Sequence, residues 1–381
     1  MSDCIKKSGQ IDTTTDTHSD AANDAFTGAE RIRRLSEKLM NWYEQPVNDQ
    51  EITDVLGREA LAPFRFAQQR LEGRVRKVTL EPAFCHSADV ALRAAELSLG
   101  APAIRAALLH DVVEDCSKNP RELAEAVSEL QARFEAQVST AVELLTNRYK
   151  VIFSAILPKL RSDLPFDARS GKAFAYALEV LRFELPSSLS LRFDNELNAL
   201  ARFFAEKADY LSGAHIVKRD KKFTLAISLE RQIYRVYVDD IVARAAAERH
   251  TADSPGRLAL LVKLLDIMDN IRTSEISNRL SLFKLMNKAE ATLDSAHALL
   301  ELVSEEELFV HLIRLLELRL VDQLDARCQA VAQHFAETRF AGLVGFLREH
   351  SSRLAKKYAV GEDRLAQIVR LQAAIRRVGS G

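Results

Sequence analysis

Apolar residues recur at intervals of three and four along most of the chain, which is the spacing of helices with one buried face. Runs built from Ala, Leu, Glu, Arg and Lys, with only 13 Gly and 9 Pro in the whole chain, favour the same conformation. We therefore predict an all-α fold. The spacing predicts helices over residues 29–44, 52–71, 84–99, 120–130, 134–146, 229–249 and 257–273, and several more beyond residue 282.

Two parts of the chain depart from this pattern. Residues 1–28 are largely polar, rich in Thr, Ser and Asp, and lack the apolar run of a signal peptide, so we predict a disordered tail. Residues 151–230 contain Pro158, Pro165 and Pro186 between short apolar segments. The basic run over residues 215–222 is typical of an exposed surface loop.

A further predicted helix contains the sequence LLHDVVED over residues 108–115. On a continuous helix His110 and Glu114 share a face, as do Asp111 and Asp115, because residues four apart lie one turn apart. Burying an ionised carboxylate is costly unless it is paired or bound to a metal. The stretch therefore predicts a metal site with an acidic catalytic pair beside it.

Other predicted helices carry further side chains of the kinds that divalent metals bind. His86 lies near the start of one helix, and Asp266 lies in another. With His110 and Asp111 they make two imidazoles and two carboxylates. Such a mixed set suits manganese, iron or zinc better than calcium or magnesium, which prefer oxygen.

Asp266 is followed one turn later by Asn270, so the two side chains share a helix face. Asn270 can therefore reach a substrate from beside a ligand. Asp269 is the nearest alternative to Asp266, but it has no such asparagine one turn later.

Composition and charge narrow the class of protein. The 381 residues are 47% hydrophobic and 28% charged with a net charge of -1, a balance that argues against nucleic acid as the main partner. The four Cys residues are scattered without paired spacing, which favours a reducing, cytoplasmic location. No apolar run reaches the length of a membrane-spanning helix, so we expect no membrane insertion.

Three blocks of these residues, in order, resemble the hydrolase domain of the RelA/SpoT homologue family, a branch of the HD-domain metal phosphohydrolases. The blocks are His86-x-x-x-Val90-Ala91, then His110-Asp111-Val112-Val113-Glu114-Asp115, then Lys263-Leu264-x-Asp266-x-x-x-Asn270-x-Arg272-Thr273. From this resemblance we predict an HD hydrolase domain over residues 29–150 and 231–281. Residues 151–230 would be an insertion, and residues 282–381 a C-terminal helical region.

The resemblance implies a manganese ion and separate roles for the site residues. The ligands of the ion would be His86, His110, Asp111 and Asp266. Glu114 and Asp115 would position and activate the attacking water, and Asn270 would contact the nucleotide. The reaction would remove pyrophosphate from the ribose 3' position of ppGpp or pppGpp.

Basic residues of the same region are candidates for binding the substrate's remaining phosphates, since arginine and lysine make charge-assisted hydrogen bonds to phosphate. These candidates are Arg76, Lys77, Arg148, Lys150 and Arg272.

Departures from the family pattern keep other functions open. Leu265 and Ile267 stand where the family has Ala and Arg, and no synthetase, TGS or ACT signature follows Thr273. The substrate could instead be a dNTP, NADPH or a cyclic nucleotide. Alternatively, the chain could be a nucleotide-sensing protein that binds without turnover. The insertion and the C-terminal helices are candidate surfaces for a protein partner or for self-association.

Overall fold

The computed structural model describes residues 28–76, 80–156, 171–206, 216–219, 222–225, 227–248, 254–274, 279–303, 308–335, 341–358 and 364–379. The predicted disordered tail lies outside this part of the chain except for Gly28. Lys77, one of the candidate phosphate-binding residues, also lies outside the described residues.

Helices make up most of the described chain, and the prediction of an all-α fold is confirmed. A short 3-10 helix spans Arg58–Ala60. The α-helices are α1 (Gly28–Met40), α2 (Asp49–Leu56), α3 (Leu61–Arg70), α4 (Ala83–Glu96), α5 (Ala101–Leu109), α6 (Val112–Cys116), α7 (Pro120–Arg133), α8 (Ala136–Leu145), α9 (Arg148–Ile156), α10 (Gly171–Glu184), α11 (Ser187–Arg192), α12 (Asp194–Glu206), α13 (Ile227–Ala247), α14 (Pro255–Thr273), α15 (Arg279–Leu300), α16 (Leu308–His334), α17 (Ala341–Lys357) and α18 (Arg364–Gly379).

A two-stranded antiparallel hairpin interrupts the helical pattern where the sequence predicted an exposed loop. Strand β1 (Ile216–Arg219) pairs with β2 (Lys222–Leu225), with Ile216 opposite Leu225. The prediction of a loop was wrong because both segments contain β-branched or aromatic residues, which favour strands, while the basic residues dominated the sequence pattern.

The predicted helix over residues 52–71 is in fact two α-helices joined by the 3-10 helix. Gly57 separates them, with a φ of 88°, a left-handed conformation that glycine adopts at little cost. The apolar spacing continues across this break, so periodicity alone did not reveal it.

Helix α14 runs through the core, and every residue from Gly256 to Asp269 is buried. It contacts α4, α5, α8, α13, α15 and α16. A helix buried on all sides is normally apolar all round, yet Lys263, Asp266 and Asp269 lie in this buried part. Buried charges are costly unless they are paired or bound to an ion. The charged side chains of α14 therefore need such partners, which makes this helix a candidate part of a functional site.

Aromatic contacts fix the two groups of helices on either side of this core. Trp42 and Phe84 pack edge to face with ring centroids 4.8 Å apart, which holds the start of α4 against the N-terminal helices. Phe153, Phe174 and Phe204 join α9, α10 and α12, with the last two rings stacked at 5.1 Å. The division into a hydrolase domain, insertion and C-terminal region stays a prediction.

None of the helices in the described ranges is both long and apolar enough to cross a membrane.

Candidate metal centre

The sequence predicted one continuous helix over the charged motif of residues 108–115. In the structure the motif instead spans a turn between two helices. Helix α5 ends at Leu109 and α6 begins at Val112. The imidazole Nδ1 of His110 donates to the carbonyl of Ala107 at 2.8 Å. In an unbroken helix that carbonyl would accept from the amide of Asp111, so the side chain competes with the backbone bond. The turn carries His110 and Asp111 toward α4 and α14.

Three side chains from α4, this turn and α14 converge in the core. His86, His110 and Asp266 each offer one ligand atom, and these three atoms lie within 4.8 Å of one another. Oδ1 of Asp266 lies 3.0 Å from Nε2 of His86 and 3.6 Å from Nε2 of His110. Two ligand atoms of one tetrahedral ion are about 3.4 Å apart when the bonds are about 2.1 Å. The spacing of the three atoms therefore fits a shared divalent ion.

Asp111 lies at the edge of this group. One of its carboxylate oxygens is 3.3 Å from Nε2 of His110, and the other is 3.7 Å from Nε2 of His86. Its side chain is 34% exposed, in contrast to the three buried residues. Asp111 is therefore the predicted ligand on the open side of the cluster.

Asp269 fixes the orientation of His86 through the ring nitrogen that does not face the cluster. Nδ1 of His86 lies 2.8 Å from Oδ2 of Asp269, so its N–H donates to that carboxylate and Nε2 faces the cluster, 3.0 Å from Oδ1 of Asp266. This carboxylate–histidine arrangement is the usual means of orienting an imidazole toward a metal and raising its basicity.

His110 gives the observation that most favours a metal. Its Nδ1 donates to a backbone carbonyl, so Nε2 is the ring atom that faces the cluster, 3.3 Å from Asp111 and 3.6 Å from Asp266. Nε2 is buried and makes no hydrogen bond within the described part of the chain. A buried polar atom without a hydrogen bond is costly, and a metal ion among these nitrogen and carboxylate atoms would bind it, so these residues fit a divalent metal.

Asp266 is held so that its two oxygens have different partners. Nζ of Lys263 donates to Oδ2 at 2.9 Å, and Nδ2 of Asn270 donates to Oδ1 at 2.6 Å. Burial would raise the pKa of Asp266, but Lys263 and the two histidines hold it well below its usual range. Asp266 is therefore an anion with Oδ1 facing the imidazoles.

The carboxylates also change the protonation of the imidazoles. Burial alone would lower the pKa of His86, but its hydrogen bonds with Asp266 and Asp269 raise it to about 9. The pKa of His110 is raised well above its usual value, because Asp111 and Asp266 outweigh burial. The negative charge of the carboxylates therefore favours protonation of both imidazoles in the absence of a metal ion. A divalent ion would release those protons when it binds.

Glu114 and Asp115 have different surroundings. Glu114 accepts hydrogen bonds from Nζ of Lys150 at 2.6 Å and from the backbone amide of Asn147 at 3.2 Å. Burial would raise the pKa of Glu114, but Lys150 and Lys263 lower it. Asp115 is exposed on the same short helix. Packing around its carboxylate, then repulsion from Asp111 and Glu114, raises the pKa of Asp115 to about 6.

The predicted substrate-binding residues divide into two groups. Arg76 and Asn270 line a cavity of about 370 Å³ beside Asp266. Arg272 instead lies behind the cluster, where its guanidinium donates to Asp269 at 2.7 Å and to Asp89 at 2.8 Å.

Arg148 and Lys150 also lie outside the lining of this cavity. Arg148 forms ion pairs with Glu196 at 2.7 Å and Asp240 at 3.1 Å, so it joins α9 to α12 and α13. Lys150 forms an ion pair with Glu114, with Nζ 2.6 Å from Oε1. The structure therefore brings neither side chain to the cavity wall.

Sequence reasoning missed the roles of two residues of α14. Asp269 was considered only as an alternative to Asp266, yet it orients His86 from behind. Lys263 was noted as part of a motif and given no role, yet it pairs with Asp266. The available signal was three charges in the otherwise apolar run from Leu258 to Asp269. Every charge in so apolar a helix needs a partner.

A comparison with family models matches this part of the chain. Residues 63–152 match the family model described as HD domain. The matched segment contains His86, the turn with His110 and Asp111, and α6. The match supports a metal-dependent hydrolase of the HD type, and it does not distinguish the RelA/SpoT branch.

The HD domain match ends before α13 and α14, so Asp266 comes from outside it. The fold brings this carboxylate to the two histidines of the matched segment. No curated protein and no solved structure shows a significant match to the chain.

Proposed function

We propose that this protein is a metal-dependent phosphohydrolase that acts on a nucleotide. The observation that carries the proposal is the convergence of His86, His110 and Asp266 beside a cavity in which cations outnumber carboxylates. Nε2 of His110 is buried there and makes no hydrogen bond with the described residues. The family match to an HD domain supports the same class of reaction.

In this proposal His86, His110, Asp111 and Asp266 hold the divalent ion. Manganese is our first candidate, because the resemblance to the RelA/SpoT hydrolase domain implies it. The mixture of imidazole nitrogen and carboxylate oxygen also suits iron or zinc. When bound, the ion supplies charge stabilisation and lowers the pKa of water at the phosphorus. Asp269 keeps Nε2 of His86 directed at the ion through the hydrogen bond to Nδ1.

Glu114 and Asp115 then have separate tasks. Both oxygens of Glu114 already accept hydrogen bonds, so Glu114 orients its neighbours rather than taking up a proton. The carboxylate of Asp115 accepts no hydrogen bond among the described residues. Asp115 is therefore free to accept the proton of the attacking water, as general base catalysis requires.

The first candidate substrate is ppGpp or pppGpp, from which the reaction would remove the 3'-pyrophosphate. This choice is supported by the resemblance of the three sequence blocks to the RelA/SpoT hydrolase domain. The cavity beside Asp266, with Arg76 and Asn270 in its wall, is where the substrate would bind.

A turnover panel tests the proposal. The full chain, loaded with Mn²⁺, is offered ppGpp, pppGpp, their adenosine analogues, NADPH, dNTPs and cyclic nucleotides, and product release is followed by ion-exchange chromatography. We expect turnover of at least one of these compounds. We also expect its loss on chelation and in Asp266→Asn, with activity retained in Asp239→Asn, whose carboxylate is 55% exposed on α13.

Absence of turnover across the whole panel would overturn the proposed activity. Nucleotide binding without turnover would then point to the sensing function instead. Calorimetry separates these two outcomes. A sensing protein still binds one of the compounds, whereas a chain with neither function binds none of them.

A further inference from the structure

The cavity beside the metal cluster has a wall that neither the HD domain match nor the sequence motifs include. Helix α15 forms this wall and contributes two lysines one turn apart, Lys284 and Lys288. The charged residues in the lining are Arg76, Lys263, Lys284, Lys288, Glu230 and Asp266. Cations therefore outnumber carboxylates around this space.

Three of the four cations have carboxylate partners. Nζ of Lys284 lies 2.7 Å from Glu230, and Nζ of Lys263 lies 2.9 Å from Asp266. Arg76 pairs with Glu81 at 3.2 Å. One cation of the cavity lining takes part in none of these pairs.

Lys288 is that cation. Its ammonium group makes no ion pair or hydrogen bond with any residue in the described ranges, and its Nζ lies 5.3 Å from the ring centroid of Tyr234. Nζ of Lys263 lies 5.8 Å from the same centroid, so two ammonium groups face one ring. Burial, followed by repulsion from Lys263, lowers the pKa of Lys288. A half-buried cation near a second cation is costly unless an anion balances the charge. The cavity that Lys263 and Lys288 both line is the space available to such an anion.

The position of this anion relative to the metal cluster follows from Lys263. Its Nζ contacts Oδ2 of Asp266, whose other oxygen faces the two imidazoles. A phosphate bound by Lys263 and Lys288 would therefore be the immediate neighbour of a phosphate at the cluster. A ligand with two directly linked phosphates would contact both the metal cluster and the two lysines, whereas a single phosphate would contact one of them.

We infer that Lys288, together with Lys263, forms a second phosphate subsite, so that α15 supplies the residue by which the site prefers two linked phosphates to one. The inference rests on the proposed function and deepens it. Lys288 is a binding and specificity residue of α15, and it favours a diphosphate over a monophosphate at the same cluster. The subsite draws on residues that lie well beyond the HD domain match.

Binding of inorganic pyrophosphate and inorganic phosphate tests the subsite. Each anion is titrated calorimetrically into the full chain carrying stoichiometric Mn²⁺, at matched ionic strength. We expect Lys288→Gln to weaken pyrophosphate binding by about tenfold or more, the loss expected for one hydrogen bond to a charged group. Phosphate affinity should change much less. Lys288→Arg keeps the charge and should restore most of the pyrophosphate affinity.

Lys356→Gln is the matched control, since it removes the same charge from an exposed position on α17. It should bind pyrophosphate as the wild type does. Equal pyrophosphate affinity in Lys288→Gln and wild type would overturn the subsite.

A measurement on the wild type keeps the inference testable if Lys288→Gln does not fold. Pyrophosphate should raise the midpoint of thermal unfolding more than phosphate does at equal concentration and ionic strength, because binding to the native state stabilises it. Equal shifts with the two anions would contradict the inference.

These results separate the subsite from the proposed activity. If a nucleotide is hydrolysed but pyrophosphate binding does not depend on Lys288, the subsite is wrong and the activity stands. If pyrophosphate binding depends on Lys288 but no nucleotide is hydrolysed, the activity is wrong and the anion site stands.

Discussion

Asp269 shows how one buried side chain organises the charge behind the metal cluster. It is fully buried, accepts the Nδ1 proton of His86, and lies within ion-pair distance of Arg76, Arg93 and Arg272. Burial would raise the pKa of Asp269, but His86 and Arg272 lower it. The residue is therefore an anion that orients His86 without facing the cavity.

We expect Asp269→Asn to lower the affinity for a divalent metal by about tenfold to a hundredfold, the usual effect of losing a partner behind a metal-binding histidine. The neutral amide holds the imidazole less strongly and leaves the arginines without their counter-charge. Competition against a fluorescent chelator measures the affinity. Asp239→Asn is the matched control and should bind metal normally. Wild-type affinity in Asp269→Asn would contradict this role.

Glu317 is a buried acid that the proposed chemistry does not use. Its side chain is 8% exposed, and Nδ1 of His297 on α15 is 3.6 Å away. One of its oxygens makes no hydrogen bond in the described residues. Burial raises the pKa of Glu317 to about 8 against the opposing effect of Arg314, from an ordinary value of 4.5. The folded chain thus keeps a proton that the unfolded chain releases.

This group should make the free energy of unfolding depend on pH. Its contribution is complete below the unfolded pKa of 4.5 and is lost as the pH rises through about 8. We expect stability to fall by up to roughly 1.4 kcal/mol per pH unit in this window. Glu317→Gln should remove that dependence, as urea unfolding at several pH values measures. The same slope in both proteins would refute it, and Glu179→Gln, on an exposed side chain of α10, is the control.

At the scale of elements, α13 and α14 approach each other closely at Gly256. A Cβ at this position would lie 2.6 Å from the backbone nitrogen of Ala245 and 2.7 Å from the carbonyl carbon of Arg244. These are backbone atoms of α13, so they cannot rotate away as a flexible side chain does. The glycine therefore sets the spacing of the helix that carries Asp266.

We expect Gly256→Ala to lower the free energy of unfolding by about 1–3 kcal/mol, the cost of overpacking a core. Gly345→Ala is a matched control, because a Cβ there meets nothing within 4 Å. It should raise stability by up to about 1 kcal/mol through helix propensity. Urea denaturation of both variants measures the difference. Equal effects at the two positions would show that the close approach is unimportant.

Arg148 ties the predicted insertion to the rest of the protein. Its side chain is 14% exposed and that of Glu196 on α12 is 3% exposed. Arg148→Met would leave this carboxylate buried without its cation, which costs about 3–5 kcal/mol. We expect the double variant with Glu196→Leu to recover much of the loss, since neither charge then remains. Urea unfolding of the single and double variants checks this, and full loss in both would contradict the pairing.

The elements differ in how far the sequence could predict them. The helical class and the helices around His86 and Asp266 follow from apolar spacing. The break at Gly57 and the turn at His110 do not, because both depend on local backbone conformations that leave the apolar pattern unchanged. The hairpin was missed because its basic residues dominated the pattern.

At the scale of the whole molecule, the site depends on α14 returning to α4 and to the turn at His110 from far along the chain. The sequence blocks predicted which residues would meet, because ligand types in order are informative without distances. They could not predict that Arg148 and Arg272 turn to carboxylates elsewhere, or that α15 supplies lysines to the cavity. Those outcomes depend on tertiary packing between helices distant in the chain.

Diffraction from crystals of the Mn²⁺-loaded chain, recorded to locate anomalous scattering, tests the central claim most directly. We predict a single strong anomalous peak about 2.0–2.3 Å from Nε2 of His86, Nε2 of His110 and Oδ1 of Asp266, absent in Asp266→Asn crystals. A peak elsewhere, or none at these atoms at saturating Mn²⁺, would contradict the account.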